Sequence, residues 1–219
     1  AAGMSAATRL RRLREDAEIV VFEAGEHVSY ANCGLPYFVS DVIAAREALL
    51  LQTPESLWRR FRIDVRVNTR VTSIDREART VIAYNAITGT TETEAYDYLV
   101  LATGAKPRAL EIPGGERALA LRDVTDADRL KSATVGAKHA VVAGAGFVGV
   151  EVAENLRHLG LDPRRFQHLA QRQVQLVVFQ GTSIRVPDAK AHRLGRFACI
   201  HQHRGGKLDL RHVVLFQRQ

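Results

Sequence analysis

The stretch that most constrains this chain is "GAGFVG", Gly144 to Gly149, which follows the apolar run Ala140–Ala143 and opens a helical run, Phe147–Gly160. A buried strand, a glycine turn and a helix in immediate succession form the core of a dinucleotide-binding unit. Gly144 permits the tight turn, Gly146 lets the backbone approach a pyrophosphate, and Gly149 lets the helix pack closely on its strand. The helix start would supply unpaired N–H groups and the positive dipole end to the phosphates. Such a unit needs a parallel sheet with helices on both faces.

The same pattern is found nearer the start. Residues 3–14 place Ala6, Ala7, Leu10 and Leu13 on one helical stripe, with arginines opposite. "AEIVVFE" follows as a buried strand ending at Glu23. Gly3 and Glu23 are twenty positions apart, the spacing between a last glycine and the acid that hydrogen-bonds an adenosine ribose. A helix is expected from Pro54 and Glu55 to Phe61, since proline is well suited to a first helical position. Between Asp64 and Tyr96, β-branched residues alternate with polar ones around turns at 75–78 and 88–89, which predicts an antiparallel meander. "YDYLVLATGAKP" then reads as another buried strand running into a glycine turn. The predicted fold class is α/β: two Rossmann-like units with an antiparallel β-meander. It is expected to be truncated, with the first strand and first glycines of the first unit missing. The expected domains are 1–115, 116–162 and 163–219.

The third division rests on composition. The chain carries 31 Lys+Arg and 24 Asp+Glu, net +7. Residues 163–219 hold 11 of those cations against Asp188 and Asp209 alone, a net of +9 that leaves −2 for residues 1–162. The positive charge is therefore a property of the tail. The tail lacks the aromatic or repeat pattern of a nucleic-acid module, so no nucleic-acid partner is expected. Its shift in composition predicts an anomalous segment, translated out of frame. No apolar run is long enough to span a membrane, so no membrane partner is expected. Cys199, His201 and His203 lack the spacing of a structural zinc site, and no metal is predicted.

Only two cysteines are present, which excludes a disulfide-stapled scaffold and fits a reducing, cytoplasmic setting. One of them, Cys33, lies in the short turn "ANCGLPY". A lone cysteine is ordinarily a small hydrophobe filling a core, but two nucleotide units in one chain, with this cysteine shortly after the first acid, restrict the choice sharply.

The motifs "AGMSAATRLRRL", "IVVFEAGEHVSYANCGLPY", "YDYLVLATGAKP" and "AVVAGAGFVGVEVAENLRHLG" together resemble the flavin-dependent pyridine nucleotide–disulfide oxidoreductases, within them the coenzyme A-disulfide reductases. The resemblance spans Ala1 to about Leu161. It implies an FAD site with Gly3, Glu23, Thr103 and Gly104, and an NAD(P)H site with Gly144, Gly146 and Gly149. It places Glu151 near the nicotinamide and the flavin. Arg12, Ser29 and Asn32 match positions that contact coenzyme A, and Cys33 matches the redox cysteine. Relatives with an internal disulfide use a C-x-x-x-x-C pair, whereas the position five after Cys33 is Phe38. A lone cysteine implies a mixed disulfide with a thiol substrate, here coenzyme A disulfide, or cycling through sulfenic acid as in NADH oxidases and peroxidases. A non-catalytic nucleotide-binding fragment is the remaining alternative. The resemblance further implies a homodimer for the intact protein.

Overall fold

Helix α1 (Ala2–Leu13) turns Gly3 and Ala7, one helical turn apart, inward, and both are buried. Arg11 closes the far end of this helix: its guanidinium donates to the Phe61 carbonyl at 2.7 Å and the Arg62 carbonyl at 2.8 Å. Strand β1 (Glu18–Glu23) follows and is buried from its second residue onward. The computed structural model describes residues 1–107, 115–143, 147–165, 177–179 and 212–217.

After β1 come β2 (Ser29–Tyr30), a 3₁₀ turn over Asn32–Gly34, and the short helix α2 (Leu35–Val39). Strand β3 (Leu50–Gln52) pairs antiparallel with β2. Helix α3 (Pro54–Phe61) starts with proline in its first turn, as expected. Thr53 and Ser56 form a reciprocal capping box there, which satisfies orphan N–H groups. Strands β4 (Ile63–Arg66), β5 (Thr69–Asp75), β6 (Thr80–Asn85), β7 (Thr91–Ala95) and β8 (Tyr98–Ala102) complete the first unit. The predicted meander is β5–β6–β7, fully antiparallel.

The second unit contains β9 (Leu119–Ala120), α4 (Val124–Thr134), β10 (His139–Val142), α5 (Phe147–His158) and β11 (Asp162–Arg165). Two strands come from the basic tail, β12 (Val177–Phe179) and β13 (His212–Gln217). The second sheet runs in the order β11-β10-β12-β9 and is parallel throughout. The first sheet runs β4-β1-β13-β8, also all parallel. This is the 3-2-1-4 order of a doubly wound unit, with position 1 taken by β13. The position expected to lack a strand is therefore filled from the tail, and β11 crosses the 162/163 boundary.

The central strand β1 explains the layering. Ile19 and Val21 join Ala7, Leu57 and Ile63 in one core; Val20 and Phe22 join Val81 and Ala83 in another. Helices thus cover one face of the first sheet and the meander covers the other. Arg66 fastens the meander. Its guanidinium sits 5.4 Å from the Phe22 ring centroid and binds Asp64 at 2.8 Å, with Glu94 and Glu92 on β7 as further partners. Burial opposes that charge, but the hydrogen bonds to Glu94 and Asp64 outweigh it and hold Arg66 ionised.

A third core joins the two units: Leu35, Phe38, Val39 and Leu49 pack with Leu121, Leu130, Val152 and Leu156. At its edge the buried Ser40 hydroxyl donates to Asn155 Oδ1 at 2.5 Å, and Asn155 Nδ2 donates to the Glu151 carbonyl at 2.8 Å. Removing one member of a buried pair strands the other, so Asn155→Ala should lower stability by about 1–3 kcal/mol. Urea unfolding of the variant checks this; an unchanged midpoint would show that water replaces the lost amide.

Candidate functional site

The carboxyl ends of β1 and β8 open on a cavity of about 480 Å³. Its wall includes Ala1, Met4 and Ser5 from the start of α1, Glu23 from the end of β1, and Thr103 and Gly104 just after β8. Helix α1 has no side-chain cap and no acid in its first turn, so its leading N–H groups suit an anion. Glu23 is only 4% exposed, and its Oε1 accepts from the Gly25 N–H at 2.7 Å, which orients the carboxylate. Gly104 adopts φ +69°, and a β-carbon there would lie 3.4 Å from an Arg122 guanidinium nitrogen. Glycine thus suits the turn for its conformation and for that close approach.

Ser29 and Asn32 line the same cavity, and Cys33 follows Asn32 with its side chain exposed. Gly34 explains the "NCG" turn: a β-carbon would meet Leu49 Cδ2 at 2.9 Å and Ile43 Cδ1 at 3.2 Å. The Ala31 N–H also donates to the Leu49 carbonyl at 2.8 Å, so the cysteine turn is pinned from below. Phe38, at the place a resolving cysteine would need, is 5% exposed and packed in the shared core with the Lys131 ammonium 4.1 Å from its ring centroid.

The structure thus gathers Glu23, Ser29, Asn32, Thr103 and Gly104 at one cavity. It puts Gly3 on the buried face of α1, and Arg12 exposed in the last turn of that helix, away from the cavity lining. Gly149 is buried on α5, and Glu151 is half-buried on the same helix. Gly144 and Gly146 lie outside the described residues, as do Cys199, His201 and His203. Among the described residues no group of three His, Cys, Asp or Glu side chains is placed to hold a metal, and no helix is long and apolar enough to cross a membrane.

Three basic cavity residues went unnoticed in the sequence. Arg60 and His27 line the cavity, and so does Arg122, which also borders a second cavity of about 300 Å³. Arg122 spans the two units: its Nε donates to the Ala105 carbonyl at 3.0 Å, and its own carbonyl accepts from the Tyr30 hydroxyl at 3.4 Å. The available signal was its place just before Asp123, which caps α4.

These residues fit a dinucleotide. A buried carboxylate, an uncapped helix start and a left-handed glycine line one cavity of about 480 Å³. The sequence profile of the pyridine nucleotide-disulphide oxidoreductases matches residues 1–192. The chain belongs to that family. Within it, the chain is 36% identical over 164 residues to a coenzyme A disulfide reductase of Staphylococcus epidermidis, covering 74% of this chain and 37% of that protein. The reduced CoADR-RHD of Bacillus anthracis superposes with a TM-score of 0.71 at 46% identity, over 74% of this chain and 30% of that one. An NAD-dependent persulfide reductase from A. fulgidus superposes with a TM-score of 0.70 at 37% identity, over 75% of this chain and 32% of the other. The chain therefore spans about a third of the length of these family members.

A carboxylate that binds a ribose hydroxyl makes a charge-assisted hydrogen bond. Glu23→Gln is expected to weaken adenine-dinucleotide binding about 10–100-fold, since such a bond is worth about 1.5–3 kcal/mol. Titration calorimetry with FAD checks this, and equal affinities would overturn a ribose-binding role for Glu23.

Proposed function

We propose that this chain forms the FAD site and the start of the NAD(P)H site of a flavoprotein that reduces coenzyme A disulfide through Cys33. The observation that carries the reading is the exposed cysteine on a glycine-pinned turn, beside a cavity suited to a dinucleotide, with buried Phe38 where a second cysteine would stand. Two relatives named for coenzyme A disulfide reduction and persulfide reduction support a sulfur–sulfur substrate.

Bound FAD would supply a two-electron relay from NAD(P)H. Glu23 holds the adenosine ribose, the start of α1 with Gly3 receives the pyrophosphate, and Thr103 and Gly104 close the wall. On the second unit, Gly144, Gly146 and Gly149 serve NAD(P)H, with Glu151 beside the nicotinamide. Ser29, Asn32 and Arg12 serve the coenzyme A portion. The Cys33 thiolate attacks one sulfur of the disulfide, forming a Cys33–coenzyme A disulfide and expelling one coenzyme A thiolate. The electron pair from NAD(P)H would then cleave that bond, releasing the second coenzyme A and restoring the Cys33 thiolate; with both coenzyme A molecules ending as thiols, one proton is taken up overall. The intact protein is read as a cytoplasmic homodimer.

The test uses the chain with Cys199 replaced by serine, so that Cys33 is the sole thiol. On incubation with coenzyme A disulfide, intact-mass analysis should show one coenzyme A per chain. No adduct, with a sulfenate formed instead under dilute peroxide, would replace this reading with the oxidase or peroxidase alternative.

A further inference from the structure

The cysteine turn runs straight into α2, and α2 is mounted on the second unit. Its Leu35, Phe38 and Val39 are buried in one cluster with Leu130 of α4 and Val152 and Leu156 of α5. Hydrophobic burial is non-directional, so it fixes the attitude of a short helix less sharply than a hydrogen bond does. Two polar contacts at the far end of α2 supply direction. The Ser40 hydroxyl donates to Asn155 Oδ1 at 2.5 Å, and the two residues are only 2 and 5% exposed. Asn155 Nδ2 donates in turn to the Glu151 carbonyl, one turn back on α5, which decides the end of the amide that faces Ser40. The second contact is Lys131 Nζ donating to Asp41 Oδ1 at 2.5 Å.

The two contacts are unequal. The Asp41 side chain is 63% exposed, so water screens its ion pair and α2 is held only weakly there. Ser40–Asn155 is shut away from water, where a lost partner is costly. The Ser40 hydroxyl has one proton, and the Tyr37 carbonyl lies 3.1 Å from the same oxygen. Asn155 is the nearer acceptor and takes it. Without Asn155 the hydroxyl turns back onto its own helix, so α2 is released rather than unfolded. A rod held at one point swings, and one held at two does not. The Ala31 N–H on the Leu49 carbonyl is the first point, Ser40 is the second, and Cys33 lies between them. A reacting atom misplaced by about 1 Å can lose about a hundredfold in rate.

On the reading of Cys33 as the attacking thiol, on which this inference rests, we propose that Asn155 is a positioning residue. Acting through Ser40, it fixes α2 and so holds the cysteine turn in the attitude that meets a bound disulfide. Neither Ser40 nor Asn155 lines the cavity, so neither acts by touching what is bound there. The second unit thereby sets the geometry of a thiol that belongs, by chain order, to the first.

The test compares the Cys199→Ser parent with Ser40→Ala, Asn155→Leu and Asn155→Asp made in it. Aspartate keeps an acceptor for Ser40 but cannot donate to the Glu151 carbonyl, so it keeps the tie while losing stability. The saturating rate of coenzyme A release from its disulfide should fall about tenfold in Ser40→Ala and Asn155→Leu, at an unchanged half-saturating concentration. In Asn155→Asp it should stay within about twofold of the parent. Dithiodipyridine, a small disulfide that needs no docking, should react with Cys33 equally fast in all four chains. A purely structural role would instead make the rates follow the urea midpoints, with Asn155→Asp slowed too. That pattern, an undiminished saturating rate in Ser40→Ala, or equal slowing toward the small disulfide would overturn the proposal. Hydrogen exchange at amides 34–39 needs no coenzyme A, and should quicken in Ser40→Ala and Asn155→Leu but not in Asn155→Asp. Should the parent capture no coenzyme A disulfide, the redox reading falls and exchange decides the tie. Quickened exchange then supports it, and unchanged exchange in Ser40→Ala overturns it. Should Asn155→Asp fail to fold, Ser40→Thr, which keeps the hydroxyl, takes its place.

Discussion

Cys33→Ser is expected to abolish capture of coenzyme A disulfide, with the rate of adduct formation falling roughly a thousandfold or more. A serine hydroxyl is not ionised near neutral pH and does not exchange with a disulfide, whereas a thiolate does so readily. The local geometry removes any fallback. The residue five positions on, Phe38, is sealed in the core between the two units, and Pro36, Leu35 and Val39 around it are also buried. A substitute nucleophile therefore has no place on this turn. The check is stopped-flow release of coenzyme A from its disulfide, comparing Cys199→Ser with the Cys33→Ser/Cys199→Ser double variant. Because Cys33 is exposed, the serine should leave the unfolding free energy within about 0.5 kcal/mol of the parent. Retained capture by the double variant would show that the sulfur chemistry does not run through this turn.

Phe22→Ala should be the most damaging single truncation, costing about 3–5 kcal/mol. The ring is 1% exposed and fills the space between the first sheet and the meander, against Val81 and Ala83. It also carries Arg66, whose guanidinium lies over the ring while binding carboxylates on β4 and β7. Truncation therefore opens a cavity and removes the aromatic face from a half-buried cation in one step. Against a total stability of about 5–15 kcal/mol, this is enough to leave an appreciable unfolded fraction at 37 °C. Urea denaturation followed by Trp58 fluorescence measures it. A loss below about 1 kcal/mol would mean that the meander collapses onto β1 and refills the space.

Much of the fold was legible because its signals are local. "AEIVVFE" is apolar at every position that two-sided burial requires, and β1 is buried on both faces. Pro54 and the alternation from Asp64 onward likewise marked α3 and the meander. The family resemblance assigned Thr103 and Gly104 to an FAD site and Ser29 and Asn32 to a coenzyme A site, whereas the structure lines one cavity with all four.

The sequence by itself determined the repeated strand–turn–helix units, the meander, the family and the isolation of Cys33. The units, the meander and the isolation of Cys33 are written in spacing over some twenty residues or fewer, where chain connectivity keeps the relevant groups together, and the family is carried by four motifs in order along Ala1 to about Leu161. Only the tertiary structure decided that Arg60, His27 and Arg122 meet at the cavity, and that Ser40 and Asn155, 115 positions apart, share a buried hydrogen bond. It also decided that β13 fills the centre of the first sheet. Parallel strands are joined by main-chain hydrogen bonds that carry almost no sequence code. Which remote segment fills an open rung is therefore settled by the edges left unpaired after the rest of the sheet has formed.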